Sequence, residues 1–243
     1  MTEHHAFDPF SASTVADPYT AYAELHDGPR ATYLERSDVW VLSRYDDVRA
    51  GLRDHARLSS SDGVTYVRAA LPMMLTVDPP DHERLRRIAG REFAPRDIGR
   101  FRPLIEGLVA DGIEQLRNGT TDDVVQAIAM PVPILVMAHI LGVPTSDIAE
   151  LRRMSDDLVE GFSIAPDTGS AIIAENGGVP IDFQRITKAI GDIHTYFSRL
   201  IGERHEHPTD DMITKLMRPA TEGSLSDGEL LWFCLLLLVA GIE

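Results

Sequence analysis

The sequence predicts a mainly α-helical protein with one small β-sheet. Helix start and stop signals recur along most of the chain after residue 77, and only residues 31–43 contain β-type runs. Hydrophobic residues make up 44% of the composition, which is enough for a packed core. No linker rich in Pro, Gly or Ser divides the chain, so we expect residues 1–243 to belong to a single domain.

The first predicted elements are a capped helix and a hairpin. Asp17 is a suitable N-cap, Pro18 suits the first helical position, and Gly28-Pro29 is a stop signal, so a helix is expected over residues 19–25. Two short strands are expected over residues 31–34 and 39–43, joined by a polar turn at residues 35–38. A second helix is expected over residues 45–52.

An irregular segment is expected before the helical remainder of the chain. Residues 55–77 combine polar turn residues with apolar ones, which is typical of a functional loop or a lid. Start and stop signals then predict helices over residues 81–93, 97–116, 134–141, 145–161, 181–205, 210–217 and from Ser226 to the end.

Charge and cysteine content exclude several classes of function. The formal net charge of -15 argues against nucleic-acid binding and against general attraction to anionic lipids. The single cysteine, Cys234, excludes an internal disulfide and suggests a reducing compartment. The N-terminus lacks the pattern of a signal peptide, and the apolar run 230–242 is too short to span a bilayer. We therefore expect a cytoplasmic protein that contacts no membrane, and we expect no metal site made of protein ligands alone.

The last apolar run ends on Glu243 without a polar last turn or an exit loop. Helix ends leave carbonyl groups that normally find a cap or water. From this pattern we expect the chain to be the front part of a longer protein, cut within a central helix.

A titratable histidine and an arginine, two potentially cationic side chains, share one face of the helix predicted over residues 81–93. His82 and Arg86 are four residues apart, which places their Cβ atoms roughly 5–6 Å from each other. Such a pair is explained if an anion binds over both. The alternative is a solvated helix with Asp81 and Glu83 as local counter-charges, and the residues alone favour that alternative.

A second group of residues lies at the end of the final apolar run. Ala240-Gly241 would let another group approach the helix backbone closely, although glycine there costs about 1 kcal/mol relative to alanine. Glu243 follows two residues later and could be a buried proton donor with a raised pKa. The alternative is a helix end with a surface glutamate.

Together these segments resemble the N-terminal part of a bacterial cytochrome P450, a haem-thiolate monooxygenase. The resemblance covers essentially the whole chain, and the Asp-Pro-Pro-Asp-His run with the Ala-Gly-x-Glu ending is its most specific part. The segments that carry it are Asp17-Pro18-Tyr19, residues 40–48, Asp78–His82 with residues 85–87, residues 93–95, residues 141–144 and residues 236–243.

The resemblance implies a role for each matching position. His82 and Arg86 correspond to the pair that hydrogen-bonds the propionates of haem b. Ala240 and Gly241 correspond to the oxygen-binding groove, and Glu243 to the acid of the acid–alcohol pair that delivers protons. The remaining expected positions contact substrate, either from the loop over residues 61–75 or from the final helix; they are Val64, Met74, Leu75, Leu236 and Val239.

The implied function is insertion of one atom of O2 into a small apolar or amphipathic organic substrate, with electrons from a ferredoxin- or flavodoxin-type partner. The cysteine that binds the haem iron would lie outside this chain, since Cys234 lies inside the apolar helix, so the 243 residues alone should be inactive. One alternative is a degenerate member of the same fold that does not oxidise. Another is a short helical protein that binds apolar ligands or a partner through its final helix.

Overall fold

The computed structural model describes residues 7–9, 11–35, 38–63, 71–94, 98–162, 183–219 and 223–241. The chain forms two compact units, one of Met1–Ala69 with Gly161–Phe183 and one of Ala70–Glu160 with Gln184–Glu243. The expected single domain remains a prediction. Mainly helical structure with one small sheet is confirmed.

The first unit contains the expected capped helix and hairpin. The Asp17 carboxylate accepts a hydrogen bond from the Tyr19 backbone N–H, and Gly28 ends the helix. The two strands pair antiparallel, and Tyr33 lies opposite Trp40 with ring centroids 5.1 Å apart. The elements of this unit are α1 (Ala12–Ala16), α2 (Pro18–Asp27), β1 (Thr32–Leu34), β2 (Val39–Val41) and α3 (Tyr45–Gly51).

The described residues of the second unit form helices and connecting turns, without a strand, and the unit contains most of the expected functional positions. Its α-helices are α4 (Asp81–Gly90), α5 (Arg102–Arg117), α6 (Pro131–Leu141), α7 (Ile148–Phe162), α8 (Phe183–Glu206), α9 (Met212–Met217) and α10 (Asp227–Ala240). Short 3-10 turns and one π-helical segment connect them, at Met74–Thr76, Arg91–Phe93, Val125–Ala129 and Thr145–Asp147.

Helix α10 begins where the sequence predicts it. The Ser226 hydroxyl accepts a hydrogen bond from the Glu229 backbone N–H, and the Glu229 carboxylate accepts one from the Ser226 N–H, which is a complete capping box. The helix then buries one broad apolar face, with both Leu230 and Cys234 fully buried. A local capping signal followed by an apolar run is enough to explain this element.

Some boundaries differ from the expectation. The helix expected over residues 97–116 is interrupted. Ile98 and Gly99 are helical, residues 100 and 101 form a turn, and α5 begins at Arg102 with Pro103 in its first turn, where proline is tolerated. The segment expected to be irregular contains the 3-10 turn Met74–Thr76, closed by the Thr76 hydroxyl, which donates to the Leu71 carbonyl. The π-helical segment Val125–Ala129 has no expected counterpart.

A buried ion pair joins the ends of three helices of the second unit. The Arg204 guanidinium on α8 donates to the Asp211 carboxylate, and the exposed fractions of the two side chains are only 12% and 6%. Arg204 also donates to the Gly142 carbonyl at 2.7 Å, at the C-terminus of α6. Thr209 and the Thr214 backbone N–H donate to the same carboxylate. We call these five residues the Asp211 cluster.

Gly142 is required by this cluster. Its φ of 72° is left-handed, which favours glycine. A Cβ atom built at residue 142 would also overlap the Asp211 carboxylate. The end of α6 therefore lies directly against the ion pair.

The protonation of Asp211 is set by competing effects. Burial by itself would raise the pKa of the Asp211 carboxyl, but hydrogen bonds from Thr209, Arg204 and Thr214 outweigh it and lower that pKa. A lowered folded-state pKa means that the carboxylate stabilises the fold above its unfolded pKa of about 3.9, and that this stability is lost as pH falls through the folded-state value.

We predict that Asp211→Ala or Arg204→Ala destabilises the protein by about 3–5 kcal/mol, because each change leaves the other charge buried and unpaired. Denaturant unfolding at neutral pH measures the loss of unfolding free energy. The difference in unfolding free energy between the parent and Asp211→Ala should shrink below about pH 4, because the parent's carboxylate becomes protonated there. Asp210→Ala is the matched control, since that side chain is 86% exposed and pairs only at the surface with Lys215. Equal unfolding midpoints for the two alanine variants would contradict the role of the cluster.

Candidate active site

Helix α4 has one buried face and two flanks of opposite character. Leu85, Ile88 and Ala89 are buried and form the apolar face. At 100° per residue, His82 and Arg86 lie on one side of this face and Arg84 lies on the other. The two flanks therefore point to different surroundings.

The Arg84 flank is bonded to the start of α10. Arg84 forms an ion pair with Glu229, the residue of the α10 capping box, and Arg91 donates to the Gly223 carbonyl at 3.3 Å. Burial would raise the pKa of the Glu229 carboxyl, but hydrogen bonds from Ser226 and Arg84 lower it. The charged pair fixes α4 beside the first turn of α10.

The His82 flank has no such partner. Among the residues that the structure describes, neither the half-buried His82 ring nor the exposed Arg86 guanidinium has a hydrogen bond or ion pair to another side chain. Neither Asp81 nor Glu83 provides the expected counter-charge. The flank therefore offers up to seven N–H donors to an external anion, five of them in the Arg86 fork. The carboxylates of haem propionates fit this donor set, since Arg binds carboxylates in a bidentate manner.

A second surface of interest is an apolar stripe along α10, formed by Trp232, Leu236 and Val239. These residues are spaced by four and three, so they share one helix face, opposite the buried Cys234. All three are half-buried, and Ala240 next to the stripe is exposed. Leu236 and Val239 were expected to contact substrate, and they lie together here; the contact itself remains a prediction. Trp232 was not expected, although its position four residues before Leu236 is a helical-spacing signal.

Gly241 packs against another helix. It is the C-cap of α10, and its N–H donates to the Leu237 carbonyl at 2.9 Å. A Cβ atom at residue 241 would lie 2.6 Å from Met137 Cγ on α6. The close approach expected at Ala240-Gly241 therefore exists, and at Gly241 the approaching group is a methionine side chain. Its expected role in oxygen binding remains a prediction.

The expected loop residues are only partly described. Met74 is half-buried and Leu75 is 47% exposed, so the two neighbours have different surroundings. Met74 lines a small pocket with Leu85 and Phe233, which has room for about one water molecule and is too small for an organic substrate. Val64 and Glu243 lie outside the described residues.

Cys234 cannot supply a thiolate in this arrangement. Its side chain is fully buried in α10, and burial raises the pKa of the thiol far above its usual value. The neutral thiol behaves as a small apolar core residue. A haem-binding thiolate therefore has no source among the cysteines of this chain, because Cys234 is the only one.

The described helices include none that combines enough length with enough apolar character to cross a bilayer.

No family model matches the chain. Curated proteins do match it. It is 36% identical over 237 residues to a beta-dihydromenaquinone-9 omega-hydroxylase of Mycobacterium tuberculosis, over 98% of this chain and 46% of the relative. It is 32% identical over 256 residues to a vitamin D(3) 25-hydroxylase of Pseudonocardia autotrophica, over all of this chain and 58% of the relative.

The fold matches solved cytochrome P450 structures. CYP109E1 of Bacillus megaterium in complex with testosterone superposes with a TM-score of 0.79 and 28% sequence identity, over 96% of this chain and 58% of that one. The chain spans about half the length of the curated relatives it matches. The resemblance found in the sequence is confirmed: curated relatives and solved structures that the chain matches are bacterial cytochrome P450s, and the chain shares their fold over about half of their length.

Proposed function

We propose that this chain forms part of a haem-dependent monooxygenase that inserts one oxygen atom of O2 into an apolar or amphipathic organic substrate. Electrons would come from a ferredoxin- or flavodoxin-type partner in the cytoplasm. The relatives named as hydroxylases support the reaction class. Whole-protein activity, substrate and partner are inferred, because the match covers about half of each relative.

The observation that carries the proposal is the contrast between the two flanks of α4. Arg84 and Arg91 are satisfied by α10 and the segment before it, whereas His82 and Arg86 have no partner in the described chain. The Arg84 flank is neutralised by Glu229, whereas the His82 flank of the same helix has no counter-charge among the described residues. This contrast indicates a binding site on the His82 flank for an anion that is not part of the described chain. In a cytochrome P450 that anion is a haem propionate.

The chain's own residues would do four things in this reaction. His82 and Arg86 bind the propionates and orient the haem. The stripe of Trp232, Leu236 and Val239 excludes water and contacts apolar substrate. Ala240 leaves room beside the helix, since its side chain is small. Glu243 holds a proton near the reacting oxygen and exchanges it with water. The haem supplies the redox centre at which O2 is reduced.

The substrate is expected to be largely apolar. The stripe offers no polar group except the Trp232 indole N–H. The names of the relatives point the same way, since dihydromenaquinone and vitamin D are lipid-like, and the matching crystal structure holds testosterone. Met74 and Leu75, together with Val64, remain the proposed contacts from the loop. The 243 residues alone should not turn over substrate, because buried Cys234 supplies no thiolate.

We predict that Arg86→Ala weakens haem binding tenfold or more in the native haem-loaded protein, and that His82→Ala has a smaller effect. A charge-assisted hydrogen bond is worth roughly 1.5–3 kcal/mol. Haem transfer to an apo-globin acceptor, followed by absorbance, measures the loss. Arg87→Ala is the matched control, because Arg87 is exposed on the same helix but lies 140° from His82 around the axis. A His82/Arg86 double variant that retains haem like the parent would rule out the propionate assignment.

A separate test addresses Glu243. Replacing it with Gln keeps the side-chain shape but removes the exchangeable carboxyl proton, so turnover should fall at least about tenfold while substrate affinity is nearly unchanged. Substrate-induced spectral shifts give the affinity, and product formation at saturation gives turnover. Glu206→Gln, at the exposed end of α8, is the control. Loss of affinity with unchanged turnover would make Glu243 a binding residue.

A further inference from the structure

Met130 is the only exposed methionine among those that the structure describes. Its exposed fraction is 36%, whereas Met154 and Met212 are exposed by only 1% and 2%. A thioether is oxidised by peroxides to the sulfoxide when solvent reaches the sulfur. Within the described part of the chain, oxidation of methionine should therefore begin at residue 130.

The sulfur of Met130 has a charged neighbour on another helix. The Arg152 guanidinium on α7 donates to Met130 Sδ from Nη2, at 3.6 Å. Thioether sulfur is a weak acceptor, whereas a guanidinium is a strong donor with five N–H groups. An oxygen atom bonded to this sulfur would be a better acceptor for the same donor, so the contact is suited to the oxidised side chain.

The second contact of Arg152 leaves Nη2 available for this role. The Nε atom of Arg152 lies 3.7 Å from the Asp156 carboxylate on the same helix, and both side chains are largely exposed. Exposed ion pairs of this kind stabilise little. The contacts with Asp156 and with Met130 use different nitrogen atoms, so the two coexist.

Met130 lies where two helical segments meet. Its backbone N–H donates to the Val125 carbonyl at 2.9 Å, which closes the π-helical segment Val125–Ala129, and Met130 is also the N-cap of α6. Segments of π-helix are frequent at functional sites. Because Arg152 belongs to α7, its contact with Met130 joins the start of α6 to α7, and a stronger hydrogen bond there would tighten that connection.

We propose that Met130 is a site of reversible oxidation by hydrogen peroxide, and that Arg152 binds the resulting sulfoxide. The sulfur attacks one peroxide oxygen, an S–O bond forms as the O–O bond breaks, and the second oxygen leaves as water with both protons. The sulfur is thereby oxidised by two electrons, and a methionine sulfoxide reductase reverses the change. This inference does not rest on the proposed monooxygenase function.

Mapping of the oxidised methionines tests the site. The native full-length protein is treated briefly with hydrogen peroxide, with imidazole present to ligate any haem iron, and peptide mass spectrometry follows each methionine. Met130 should be oxidised at least about tenfold faster than Met154 and Met212, which are the matched buried controls. Half-buried Met217 should react at an intermediate rate. Oxidation of Met130 no faster than that of Met154 would overturn the proposal.

A second measurement isolates the role of Arg152. Hydrogen exchange is compared before and after oxidation in a peptide covering residues 148–156 of α7. Oxidation should slow this exchange at least about twofold in the parent, because a net hydrogen bond shifts a local opening equilibrium by at least this factor. Arg152→Ala should abolish the slowing, and Arg152→Leu replaces it should the alanine variant not fold. Met130→Leu has no sulfur at this position and should show no slowing.

The matched control for Arg152→Ala is Arg153→Ala. It removes the next cation of the same helix, which pairs with Asp157 and not with Met130, so the slowing should persist. Oxidation of Met130 without slowed exchange in the parent would make it an exposed methionine only and overturn the proposal. Slowing that persists when Arg152 is removed would overturn it as well.

Discussion

The buried ion pair between Arg204 and Asp211 is the interaction on which the second unit depends most. Moving two charges out of water costs free energy. This cost is offset only when the remaining hydrogen-bond donors and acceptors of the two groups are satisfied. Here Thr209, Thr214 and the Gly142 carbonyl complete the set, so the carboxylate stays ionised despite its burial. The geometry admits no side chain at residue 142. Three helix ends are therefore fixed relative to one another by one carboxylate.

The candidate site takes its geometry from this cluster and from a second ion pair. The cluster holds the C-terminus of α6, and Met137 on that helix packs against Gly241 at the far end of α10. Arg84 pairs with Glu229 in the first turn of α10. Helix α10 is thus supported at both ends by different helices, and the apolar stripe lies between the two supports. Support of this kind fixes the surface that a helix presents, because packing and not intrinsic propensity gives helices most of their stability.

The sequence predicted features that depend on residues close together in the chain, and it did not predict contacts between residues far apart in the chain. Asp17 and Ser226 signal helix starts within a few residues, and both cap as expected. The four-residue spacing of His82 and Arg86 is local too, yet the residues alone favoured counter-charges from Asp81 and Glu83, and the described structure contains no such pairs. The propionate role that the resemblance implies for His82 and Arg86 stays a prediction. The Arg84–Glu229 pair joins residues 145 positions apart, and the Gly241–Met137 contact depends on how two helices cross, so neither leaves a pattern in the sequence.

The composition of α10 supports the proposal that its half-buried stripe belongs to a site. An ordinary surface helix places polar residues on its outer face, whereas α10 is apolar around its circumference after the first turn. Its inner face is buried by the second unit, but Trp232, Leu236 and Val239 are only half-buried. Leaving such residues in water forfeits about 25 cal/mol for each Å² of apolar surface. A second apolar body on the outer side of the helix would explain the stripe, and under the proposed function that body is haem or substrate, with the cationic flank of α4 as the proposed site for the haem propionates. Haem has a broad apolar face and two propionates, so under the proposed function this one cofactor would account for both surface features.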